Sequence, residues 1–125
     1  MKHTAAAIGL LMSFGTCTAN ADAITDWNET AIGVLKAANI AGNPWTRSMA
    51  MVHVAMSDAV NSVQGRYARY VATGDLTRDA SAEAAAASAA RQVLLQLYPG
   101  QKAPIDEAFT TSTKAIPDGA GKTWA

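Results

Sequence analysis

The chain has 125 residues, ten Lys and Arg against ten Asp and Glu, and one cysteine, Cys17. That length fits one small domain, the even charge argues against a nucleic-acid binder, which would carry a basic excess, and a single thiol excludes a disulfide framework.

The first element reads as a secretory signal peptide. Met1 to Ala21 opens with Lys2 and His3, continues through an apolar run centred on Ala5 to Met12, and ends in Ala19-Asn20-Ala21. The run is too short to span a bilayer, and small-x-small is a cleavage pattern. Cleavage after Ala21 predicts an exported chain, periplasmic or extracellular, that starts at Asp22. Keeping Cys17 as a lipid-bearing residue is the alternative, but Phe14-Gly15-Thr16 matches that signal poorly. Loss of Lys2 takes the balance to −1 for residues 22–125. No later apolar run approaches membrane-spanning length.

Four helices are predicted after the leader. The first covers Asp26 to Asn39. Asp26 and Glu29 form a capping-box pattern, and Ile24, Trp27, Ala31, Val34 and Ala38 recur at spacings of 3 and 4. The second covers Pro44 to Val63, with Asn43 as candidate cap, Pro44 at the first helical position and Gln64-Gly65 as its stop. Trp45, Met49, Val52, His53, Met56, Val60 and Val63 share one stripe. Arg47, Met51, Val54, Asp58 and Asn61 lie opposite, between flanks of Ser and Ala. Lacking the Lys and Glu of a surface helix, this segment is expected in the middle of a bundle.

Gly65 to Ala80 is a connector. Its Arg66, Tyr67, Arg69 and Tyr70 form a pattern too short to indicate base stacking, and the tyrosines are expected to pack on helix ends. Gly74-Asp75 marks a turn. The third helix covers Ser81 to Tyr98, capped by Ser81 with Glu83 in its first turn, alanine-rich in its first half and apolar through Val93, Leu94 and Leu97. The fourth covers Pro104 to Ile116 with a stripe of Ile105, Ala108, Phe109, Ser112 and Ile116, and Pro117-Asp118-Gly119 closes it. The fold class is therefore all-α, a partial bundle of about four helices after a cleaved leader.

No complete catalytic constellation is visible. Gly121-Lys122-Thr123 resembles the end of a phosphate-binding loop, but Ile116 stands where that loop needs glycine. Asn28-Glu29-Thr30 fits the glycosylation acceptor pattern inside a predicted helix, where it is a poor acceptor. Met49, His53 and Met56 share a face and could supply soft ligands to Cu(I); the apolar company of that face favours core packing. Arg47, Asp58 and Asn61 also share a face. One carboxylate without a nearby base is a thin site, so structural hydrogen bonds between helices are the better expectation.

The segments DAITDWNETAIGVLKAA, RSMAMVHVAMSDAVNSVQGRYARY, ARQVLLQLYPGQ and IDEAFTTSTKAIPDGAGK occur in that order. Together they resemble the N-terminal helical region of secreted bacterial proteins related to vanadium-dependent haloperoxidases, in the type 2 phosphatidic acid phosphatase superfamily. The resemblance spans Asp22 to about Lys122 and is most specific at His53 to Asn61. It implies a full-length haloperoxidase or phosphatase that cradles vanadate or a phosphoryl group with Lys, Arg, Ser-Gly-His and a later His. A multiply charged oxyanion needs several cations and donors at once. This sequence holds no Ser-Gly-His, and His53 is its one histidine after the leader. No catalytic, cofactor-binding or metal residue is therefore carried over, and vanadate belongs only to the full-length relatives.

Residues 22–125 are accordingly expected to form a non-catalytic N-terminal region, incomplete without a C-terminal catalytic half and inactive alone. The alternative is a stand-alone exported interaction module, with a Cu(I)-binding bundle as a weaker third. The expected partners are the missing helical half, or a second copy through helix 44–63, with neither nucleic acid nor a membrane span. Ordering a chain of this size costs on the order of 100–200 kcal/mol, so a marginal fold with apolar surface left on the second helix is expected.

Overall fold

The computed structural model describes residues 22–71, 81–114 and 116. They form four α-helices and one short 3₁₀ turn: α1 (Ala23–Ala37), α2 (Asn43–Gln64), α3 (Ala82–Leu97), the turn Pro99–Gln101, and α4 (Lys102–Lys114). No strand occurs among the described residues. The protein is an all-α partial bundle. The leader, the Gly74-Asp75 turn, the Pro117-Asp118-Gly119 stop and Gly121-Lys122-Thr123 lie outside the described residues.

α1 starts earlier than the capping-box pattern implies. Asp22 is its cap, the side chain accepting from Ile24 N–H at 3.4 Å, and Asp26 sits inside the first turn. Both carboxylates face the positive end of the helix dipole, so sequence alone does not choose between them. The helix ends at Ala37 rather than Asn39. Asn39 takes the left-handed conformation (φ 54°), Asn39 N–H donates to Lys36 C=O, and Ile40 N–H reaches Leu35 C=O, both at 3.0 Å. These are the two bonds of a Schellman stop, with Asn in the place glycine usually fills.

α2 begins at Asn43, which is its first residue and not its cap. Gly42 precedes it with no side-chain capping bond. Its end matches the sequence signal: Gly65 is left-handed and donates to Asn61 C=O at 2.7 Å. Ser81 caps α3, accepting from Ala84 N–H at 3.2 Å. α4 starts two residues before Pro104, because the turn Pro99–Gln101 feeds directly into it.

The central helix is α3, not α2. It packs against α1, α2 and α4, most extensively against α2. The reason is its alanines. Ala84, Ala85, Ala86, Ala87 and Ala90 are all buried, and side chains this small let neighbouring backbones approach from several directions. The core adds Trp27, Ala31, Val34 and Leu35 from α1, Val52 and Met56 from α2, Leu94 from α3 and Ile105 from α4. Fully burying a Leu- or Ile-sized side chain stabilises by roughly 1.5–3 kcal/mol, so these few residues carry most of the fold. α2 does keep a solvent face. Thr46, Arg47, Ala50, Met51, Ser57 and Gln64 are exposed; Arg47 is the one charged residue among these six, so the face lacks the run of Lys and Glu that would have announced it.

α3 and α4 are also tied by charge. The Arg91 guanidinium donates to Asp106 at 2.9 Å and lies over the Phe109 ring, 5.0 Å from its centre, while Lys102 pairs with the same carboxylate. The Lys102 hydrogen bond, and then that of Arg91, hold the Asp106 carboxyl below its usual pKa. A carboxylate depressed by folding adds stability above its unfolded pKa, and that stability is lost as pH falls through the lowered value. Asp106→Asn should therefore lower the urea midpoint at pH 7 but leave it unchanged at a pH below the folded-state value. An equal loss at both pH values would mean that packing, not charge, is what the substitution removes. The effect is small, because the group is exposed to solvent.

Candidate functional site

The polar groups of α2 do not converge on a cleft. They are distributed along the helix, and each is used by a different neighbour. At the start, Ser48 is buried and its hydroxyl lies 2.6 Å from the Tyr98 hydroxyl at the end of α3. In the middle, His53 Nε2 lies 3.0 Å from Asn28 Oδ1 on α1. At the end, Asp58, Asn61 and Ser62 are buried and grip the connector that follows.

That grip is made to backbone. One Asp58 oxygen accepts from Tyr70 N–H at 2.7 Å, and the other accepts from Val71 N–H at 2.6 Å. Asn61 accepts from Tyr67 N–H at 2.7 Å and donates to Tyr67 C=O, so one amide side chain satisfies both backbone groups of one residue. Ser62 donates to Asp58 C=O at 2.8 Å and accepts from the Arg69 guanidinium at 3.4 Å. Residues 65–71 have no helix or strand of their own, and their peptide groups near α2 must find partners. A carboxylate accepting two N–H groups is among the stronger arrangements available. The sequence expectation of hydrogen bonds from Asp58 and Asn61 holds, but their partners are a returning loop, not another helix.

Gripping the backbone leaves the side chains outside. Tyr67 is 81% exposed, Tyr70 83% and Val71 70%. The tyrosines therefore do not pack on helix ends as expected. Of the large apolar side chains exposed among the described residues, three lie on this connector and one, Met51, on α2.

Arg47 is not brought to Asp58 and Asn61. It is exposed at the first turns of α2 and lines an open depression of about 440 Å³ with Asn43, Pro44, Ser48, Met51 and Leu97. Eleven helical residues separate it from Asp58, a rise of roughly 16 Å. Met56 is fully buried, Met49 packs against the core, and His53 spends one ring nitrogen on Asn28. Among the described residues no three His, Cys, Asp or Glu side chains group as a metal site, and no helix is long and apolar enough to cross a membrane. Asn28 and Thr30 of the glycosylation pattern lie inside α1, and the Thr30 hydroxyl donates to Asp26 C=O at 2.9 Å.

Compared with protein families, curated proteins and solved structures, the chain shows no match.

Proposed function

We propose that this chain is a non-catalytic helical scaffold of the kind found at the N-terminus of vanadium haloperoxidase-like proteins. The observation that supports it is the use made of the polar residues in His53 to Asn61, the most specific part of the resemblance. His53 bonds Asn28, Asp58 bonds the Tyr70 and Val71 amides, and Asn61 bonds both backbone groups of Tyr67. Side chains committed to the fold in this way are not free to act as an acid–base pair, and His53 to Asn61 holds no Lys or Arg to bind an oxyanion. In this reading the chemistry of the full-length relatives resides in segments bearing Ser-Gly-His, and the helices here hold a surface against which such segments pack.

The test is direct. The purified chain should neither oxidise bromide with peroxide and vanadate nor hydrolyse a phosphomonoester, and titration with vanadate should leave its vanadium-51 resonance unshifted. Stoichiometric vanadate binding with turnover that follows the protein through purification would contradict the scaffold reading. A second reading, a stand-alone interaction module, is favoured by the exposure of Tyr67, Tyr70 and Val71. In either case export to the periplasm or beyond is part of the proposal, resting on Met1 to Ala21.

A further inference from the structure

We infer that the clasped connector is a self-docking surface: Arg66, Tyr67, Tyr70 and Val71 of one copy bind the acidic start of α1 in a second copy, forming a two-fold dimer. Three observations lead there. The connector is organised before it binds. Asp58 and Asn61, each 7% exposed, fix the backbone at Tyr67, Tyr70 and Val71 while their side chains stay in solvent. Fixing the loop in advance removes much of the ordering cost of association. Tyrosines held this way are typical interface anchors, with large area and few rotatable bonds.

The charges are complementary. Arg66 is exposed and meets no carboxylate among the described residues, and the described part of the connector, residues 65–71, contains no acidic residue. Asp22, Asp26 and Glu29 are exposed on the first turns of α1 and pair with no cation among the described residues.

Both surfaces lie towards one end of the molecule. The link 38–42 turns the chain back from α1 to α2, and His53 meets Asn28. The start of α1 and the end of α2 therefore point the same way. A single end face carrying a basic-aromatic rim beside an acidic rim is self-complementary. A two-fold axis sets each rim against the other copy's opposite rim, so the same contact is made twice. This dimer does not depend on the scaffold reading.

Sedimentation equilibrium on the purified chain at low and high salt tests it. The expected result is a monomer–dimer equilibrium that weakens as salt rises, because exposed charges are screened. Arg66→Glu alone, or Asp26→Lys with Glu29→Lys, should weaken it tenfold or more, since each sets like charges together. Mixing those two variants should restore association, because every contact in the mixed dimer is again between opposite charges. Tyr67→Ser with Tyr70→Ser should weaken it without changing its salt dependence. All these positions are exposed, so helicity by circular dichroism should be unchanged. A monomer at every concentration would overturn the proposal and leave the patch to a partner other than this chain. So would a dimer indifferent to the charge reversals, or a mixture that fails to associate.

Discussion

Replacing Asp58 with alanine should cost about 2–3 kcal/mol and release the connector while the helices stay folded. Asp58 is 7% exposed, and its two oxygens take the Tyr70 and Val71 amides. Hydrogen bonds to a charged group contribute about 1.5–3 kcal/mol each, but these amides can turn to water once the loop lifts, which holds the net loss to about the worth of one such bond rather than two. Asp58→Asn should cost nearly as much. Its amide keeps one acceptor and turns an N–H₂ group towards the second backbone N–H. Asn61→Ala should cost less, because it removes bonds between neutral groups. Ser57→Ala, one residue away on the exposed side, should be close to neutral. Chemical denaturation of the four variants gives the order, and an Asp58→Asn protein as stable as wild type would show that the carboxylate is not what holds the loop.

Met56→Asp should prevent folding, and Met56→Leu should be tolerated. Met56 is 1% exposed within the core cluster. Leucine matches its volume closely, and such exchanges usually cost less than about 1.5 kcal/mol. An unpaired buried carboxylate costs several kcal/mol, a large part of the roughly 5–15 kcal/mol that holds a whole domain together. The same pair separates packing from metal ligation. If Met49, His53 and Met56 held Cu(I), Met56→Leu would lose copper affinity while its melt stayed unchanged. Core packing predicts no tight copper binding by either protein in a Cu(I) competition titration, and near-equal melts by circular dichroism. Tight stoichiometric copper binding abolished by Met56→Leu would assign the trio to a metal.

The helices were legible because local rules act within a few residues. Trp27, Ala31 and Val34 recur at helical spacing and are buried; Val52 and Met56 are the buried centre of the predicted α2 stripe; Ser81 and Gly65 begin and end their helices as their chemistry requires. What was not legible depended on tertiary arrangement. An alanine run has helix propensity wherever it lies, so nothing local marked α3 as the central helix. The solvent face of α2 was hidden because Ala50 and Ser57, which form part of it, serve equally well against a neighbour. The partners of Asp58 and Asn61 were hidden for a different reason. They are backbone amides of Tyr67, Tyr70 and Val71, and a backbone amide has no signature in sequence. Asp58 and Asn61 on one face of the helix did signal structural hydrogen bonds, though the expected partners were other helices. The actual partners required the path of the chain after Gly65.

The claim on which the functional reading rests is that the polar side of α2 is spent on holding the connector. Native-state hydrogen exchange at individual amides measures it most directly. Tyr67, Tyr70 and Val71 lie in a segment without regular structure and carry highly exposed side chains, so an unheld loop would exchange them at the rates of free peptide. The account predicts that all three amides are protected in the wild-type chain. Asp58→Asn should remove protection at Tyr70 and Val71, and Asn61→Ala at Tyr67, with amides in α1 and α3 still slow in both variants. Free-peptide exchange at these three positions in the wild type, beside slow exchange in the helices, would contradict it and return Asp58 and Asn61 to the list of groups available for chemistry.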